Sequence, residues 1–134
     1  MTDDRGGTPA GMWSTVDALW ESLEAARPVG GREGLLLRVL KLSEEVGEVA
    51  EAVIGATGQN PRKGVSHTWE DVEAELCDVV ITAMVALRTL TPEAPEVFDR
   101  HLARVAARAP GTVPGIPAPG VTSADGRSAD PGPV

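Results

Sequence analysis

The sequence predicts an all-α protein, a bundle of four helices. Strand signals are nearly absent, with no Tyr, a single Phe and no clear period-2 run. Two long segments instead carry apolar residues at alternating steps of four and three, and Gly/Pro breaks separate the helical stretches.

The first helix is expected over 14–26, from Ser14 or Thr15 to the break at Arg27-Pro28-Val29-Gly30-Gly31. The second is expected over 32–56, stopping near Gly55 and Gly58. Its seam runs Leu35, Val39, Leu42, Val46, Val49 and Val53. A loop follows to His67, with Gly58, Asn60-Pro61 and Gly64 as breakers. The third helix, over 69–90, has Thr68 as N-cap, with Glu70 and Asp71 in the first turn where they favour the helix dipole. Its seam runs Val72, Leu76, Val79, Ala83, Ala86 and Leu90. Thr91-Pro92 resembles an N-cap with Pro at the first helical position, although Pro95 allows a later start. This last helix should end near Arg108.

Narrow seams suit side-by-side packing, and short connections make neighbouring helices antiparallel. Leu36, Leu37, Leu40, Ile54, Val80 and Leu87 lie off the seams, so helix 2 is apolar on more than one side near its start. A second packing partner, and hence a homodimer or dimer of dimers, is expected. The small core of a domain this size points the same way.

The 134 residues fit one domain, and the ends shrink it further. Segment 1–11 has no apolar run. Segment 109–134 holds six Pro and five Gly with hardly a large apolar side chain, a composition that favours disorder. The folded helical domain is therefore expected over 12–108. A net charge of −8, from 20 acids against 12 Lys and Arg, opposes a surface that wraps nucleic-acid backbone. It still permits binding of a phosphate compound through a divalent cation. The lone Cys77 excludes an intramolecular disulfide and fits a reducing cytoplasm. No signal peptide and no stretch of ~18 apolar residues is present, so a soluble, cytoplasmic protein without a membrane partner is expected.

The chemistry lies in the acids. Glu44, Glu45, Glu48 and Glu51 sit on helix 2; Asp71, Glu75 and Asp78 sit on helix 3. At about 100° per residue, Glu45 and Glu48 lie roughly 60° apart beside one seam, as do Glu75 and Asp78 beside the other. Asp71 and Thr82 share the helix 3 flank. Between Leu42 and Asp78 there are nine acids and two bases, Arg62 and Lys63. Acids at such spacing repel. A hard cation such as Mg²⁺, held by a few carboxylates and keeping waters for phosphates, would neutralise them. A metal-bridged phosphate chain is then open to attack by water that a further carboxylate deprotonates. The competing account is a solvated acidic helix face.

The string Lys41-Leu-Ser-Glu44-Glu45-Val-Gly-Glu48, followed by Glu75-Leu-Cys-Asp78, resembles the E-E-x-x-E…E-x-x-D signature of MazG-type nucleotide pyrophosphohydrolases. The resemblance covers roughly 33–108. It implies a four-helix bundle-like MazG fold that oligomerises through helical hairpins. It also implies Mg²⁺- or Mn²⁺-dependent hydrolysis of nucleoside triphosphates to monophosphate and pyrophosphate, in nucleotide-pool housecleaning. Carried over by position, Glu44, Glu45, Glu48, Glu75 and Asp78 are the metal set, and Glu45 or Glu44 is the general base, with Glu45 favoured. Lys41, one turn before the doublet, is a candidate to contact phosphate oxygens as a point charge. Arg104 or Arg108 is a candidate for the same role, against a solvated basic helix end. Two alternatives remain: the same site acting on dUTP or a phosphoribosyl nucleotide, or a catalytically idle helical dimer that binds nucleotides or a protein.

Other conspicuous residues are expected to be structural. Trp13 and Trp20, seven apart on one face, and Trp69 are read as packing residues. His67 and His101 are read as structural or solvent-facing, and Cys77 as a small buried hydrophobe.

Overall fold

The computed structural model describes residues 10–26 and 29–109, with the Ala10 side chain excluded. Four helices account for most of them: α1, Ala10–Ala26; α2, Gly31–Thr57; α3, Trp69–Leu90; and α4, Ala94–Arg108. Among the described residues there is no strand. No helix is long and apolar enough to cross a membrane. Ala10 and Gly11, expected to be unstructured, belong to α1, where the Gly11 carbonyl accepts a bond from the Thr15 hydroxyl at 2.9 Å. The remainder of that segment, and residues 110–134, lie outside the described residues.

Local chemistry explains where the helices stop. Gly58 ends α2 in the left-handed region, φ 64°, its N–H bonded to the Ile54 carbonyl. Thr68 opens α3 with a full capping box: its hydroxyl accepts from Asp71 N–H at 3.2 Å, and the Asp71 carboxylate accepts from Thr68 N–H at 2.8 Å. Thr91 closes α3 rather than opening α4. Its backbone is extended, and its hydroxyl accepts from Glu93 N–H at 3.1 Å. The last helix starts at Ala94, so Pro95 falls in its first turn, where a missing N–H costs nothing.

The chain divides after Asp99. In the first unit α2 packs principally on α3, and α1 on α3. Arg38, early in α2, bonds Thr89, late in α3, whereas Gly55, late in α2, lies against Ser66 and His67 just before α3. The two helices are therefore antiparallel. A Cβ at Gly55 would collide with the His67 ring, so glycine is required there. The apolar core lies on another side of α3: Trp13 and Val16 of α1 meet Met84 and Val85, and Ala94 closes the cluster. Trp13 also meets Phe98 edge to face, ring centres 6.1 Å apart. The second unit, from Arg100, contains the rest of α4, where His101, Arg104 and Arg108 are exposed.

The seam expected on α2 is covered only in part: Leu35, Leu42, Val49 and Val53 are half-buried. Val39 and Val46 are exposed, whereas Gly34, Glu45, Ala52 and Gly55 are buried. On α3, Val72 and Ala86 are buried but Leu76 and Leu90 are exposed. Gly34, Ala52, Gly55 and Ala86 mark the inward sides of the two helices, and α2 packs on α3. That contact turns Glu45 inward and leaves Leu36, Leu37 and Leu40 outward, each more than half exposed. Leu87, by contrast, packs against the core. Two further expectations fail: Trp69 is 58% exposed and Cys77 is exposed.

Candidate functional site

The acid cluster forms at the α2–α3 contact. Glu45 and Glu48 lie three residues apart on α2, and Glu75 faces them from α3. One carboxylate oxygen from each lies within 4.8 Å of the others. Opposite ligands of a Mg²⁺ ion are about 4.2 Å apart, given Mg–O distances of about 2.1 Å, so a small inward shift would let three oxygens share one cation. Glu45 is only 7% exposed, and Glu48 and Glu75 are half-buried.

Lys41 makes the cluster less bare of bases than its sequence indicates. Its Nζ lies 2.9 Å from Glu45 Oε1 and 3.3 Å from Glu44 Oε2. These contacts, Glu45 first, raise the Lys41 pKa. The Lys41 bond lowers the pKa of Glu45, against the opposing effect of burial. Glu48 moves the other way: a bond to Glu45, and then the charge of Glu45, raise its pKa, so it keeps its proton to higher pH. One carboxylate held ionised beside another inclined to hold a proton is what crowded acids do when a single cation cannot balance them all.

Of the five acids expected at the metal, three converge. Glu44 is exposed at the rim, bound to Lys41. Asp78, one turn beyond Glu75, is exposed and outside the converging group. Asp71 serves the capping box instead. His67 is structural, half-buried against Gly55 with its Nδ1 2.9 Å from the Ser66 hydroxyl.

Beside the cluster a cleft of about 340 Å³ opens among α1, α2 and α3. Leu19, Leu23, Ile81 and Val85 make it apolar; Arg38, Lys41 and Thr82 supply its polar side chains. Lys41 thus belongs to both cleft and cluster. Arg38 is held in place by Glu24 at 2.9 Å and by the Thr89 hydroxyl at 3.2 Å. That hydroxyl also accepts from Trp20 Nε1 at 3.2 Å and donates to the Val85 carbonyl. Trp20 carries the Arg88 guanidinium over its ring at 4.1 Å, while Arg88 bonds Asp17 at 2.8 Å. Sequence reasoning missed Arg38. Its signal was a single charge inside the otherwise apolar run Leu35–Leu40.

No protein-family model, curated protein or solved structure matches this chain.

Proposed function

We propose that this protein is a Mg²⁺-dependent nucleoside triphosphate pyrophosphohydrolase of the MazG type, acting at the α2–α3 cluster. The observation that carries this is the convergence of Glu45, Glu48 and Glu75, two half-buried carboxylates and one buried, from two helices beside an apolar cleft. A merely solvated acidic face would not be turned into a helix contact. The signature strings support the same function. Glu45, Glu48 and Glu75 would hold Mg²⁺ (or Mn²⁺), which when bound supplies charge neutralisation and polarises the phosphoryl oxygens. Glu45 is suited to be a permanent ligand because Lys41 keeps it ionised. Glu44, at the rim of the cluster, is then the member of the doublet left to take a proton from water. The water oxygen bonds to the α-phosphorus, the bond from that phosphorus to the β-bridging oxygen breaks, and pyrophosphate leaves. Lys41, placed between cleft and cluster, is suited to phosphate oxygens. The apolar cleft suits a nucleobase.

The chain is proposed to act as a homodimer or dimer of dimers, because Leu36, Leu37, Leu40 and Val46 are each more than half exposed in the single chain. A second reading, an idle helical dimer, is favoured by the Lys41–Glu45 ion pair, which partly neutralises the cluster without any cation. The deciding experiment is pyrophosphate release from a panel of nucleoside triphosphates, with Mg²⁺, with EDTA, and with Mg²⁺ restored. Release that EDTA abolishes and Mg²⁺ restores supports the enzyme. Turnover that survives excess chelator rules out the metal mechanism, and no turnover on any nucleotide leaves the idle dimer.

A further inference from the structure

We infer that the cleft between α1, α2 and α3 selects nucleobases with a carbonyl at pyrimidine C4 or purine C6 (uracil, hypoxanthine) over those with an amine at that position (cytosine, adenine). The inference rests on the proposed function, which puts a base in this cleft. Among the described residues that line it, the polar side chains are Arg38, Lys41 and Thr82; there is no carboxylate and no carboxamide. Arg and Lys are donors only, and a hydroxyl rotates to donate or accept. Lys41 lies against Glu45 and Glu44, which puts it on the phosphate side of the site. A nucleotide whose phosphates lie at the carboxylates therefore leaves Arg38 and Thr82 for the base.

Arg38 decides the sign. Its guanidinium cannot lose its proton at any ordinary pH, and Glu24 and Thr89 brace it from α1 and α3. It can neither accept a bond nor swing away. Two of its nitrogens are engaged by Glu24 and Thr89, and a base carbonyl that meets one of its remaining N–H groups gains a charge-assisted bond. An exocyclic amine in that place turns its own N–H groups toward the same guanidinium, and among the described side chains lining the cleft only the Thr82 hydroxyl can accept. Uracil and cytosine have almost the same shape, as do hypoxanthine and adenine, so apolar contacts with Leu19, Leu23 and Ile81 cannot separate the members of either pair. Sites that leave a buried polar group unpaired do separate them, by about tenfold or more.

Two measurements on the full chain test this. The first is kcat/KM for pyrophosphate release with Mg²⁺, comparing dUTP with dCTP and ITP with ATP. The second is calorimetric binding of dUMP against dCMP, which reads the cleft without turnover. Each keto member should be favoured by about tenfold or more. Thr82→Val should leave most of that ratio in place, whereas Arg38→Gln, whose amide can accept, should shrink or reverse it. Melting curves would show that the Arg38 variant is folded at the assay temperature. Turnover without keto preference overturns this inference and leaves the proposed function standing. A dUMP preference without any turnover sinks the proposed function and keeps the cleft's selectivity. Equal binding of dUMP and dCMP, or preference for the amino members, overturns the inference outright.

Discussion

Helix α3 has two working faces, and they are built on opposite principles. Toward α1 it presents Met84 and Val85 to Trp13 and Val16, an apolar cluster. Toward α2 it presents Glu75 to Glu45 and Glu48, a charged cluster that is half-buried or buried. The first face follows the ordinary economy of burial, roughly 1.5–3 kcal/mol for each large apolar side chain removed from water. The second gathers like charges where water is scarce, which stability alone does not favour. An interface that opposes its own stability is a candidate for function. Thr89 and Arg38 join the two faces: the Thr89 hydroxyl accepts from Trp20 of α1 and from Arg38 of α2.

The largest expected effect falls on the charged face. Glu75→Gln keeps the volume and removes a ligand, so turnover should drop ~10–100-fold or more, with no loss of melting temperature in the metal-free protein. Asp78→Asn sharpens the test, because Asp78 lies outside the converging group. A smaller loss than for Glu75→Gln is expected. An equal loss would show that Asp78 swings in when the cation binds, and wild-type turnover in the Glu75 variant would refute the site.

The apolar face should respond in the opposite way. Trp13 is 5% exposed, and Trp13→Ala should cost about 3–5 kcal/mol in denaturant unfolding, while folded variant keeps its turnover. A loss below about 1 kcal/mol would mean that the α1–α3 cluster contributes little. Between the faces lies the capping box. Thr68→Ala should cost ~1 kcal/mol, and a neutral result would show the cap to be replaceable by water.

The smallest effect concerns pH. Glu48 has a raised pKa, so its proton binds more tightly in the folded state. That contribution is complete below the unfolded value, near 4.5, and fades as pH rises through the folded one. Glu45 is lowered, so its contribution is present above 4.5 and fades as pH falls through its folded value. Metal-free protein should therefore lose melting temperature from mildly acidic to neutral pH by a component that Glu48→Gln removes. Parallel melting-temperature curves for wild type and variant across that range would refute the coupling.

How much of this was legible beforehand depends on whether the cause is local. The start of α3 followed from Thr68, and the end of α2 from Gly58, because caps and left-handed turns are decided within a few residues. The start of α4 followed only in part: of the two starts the sequence offered, the later one, at Pro95, is within one residue of the observed Ala94. Thr91-Pro92 has the form of an opening, but Thr91 closes α3, and Ala94 begins the next helix with its side chain wholly buried in the core. The acids of the cluster could be named from their spacing, yet not which of them meet. Periodicity identifies every apolar side of a helix without saying which one a neighbour covers, so Val39 and Val46 read as core while Ala52 went unnoticed. Only the packing of α2 on α3 turned Glu45 inward, left Glu44 at the rim with Lys41, and set Arg38 beside the cleft. Sequence by itself determined the helices and the supply of charge; the rotation of one helix on another, a sum of many weak contacts between distant residues, decided which charges share a site.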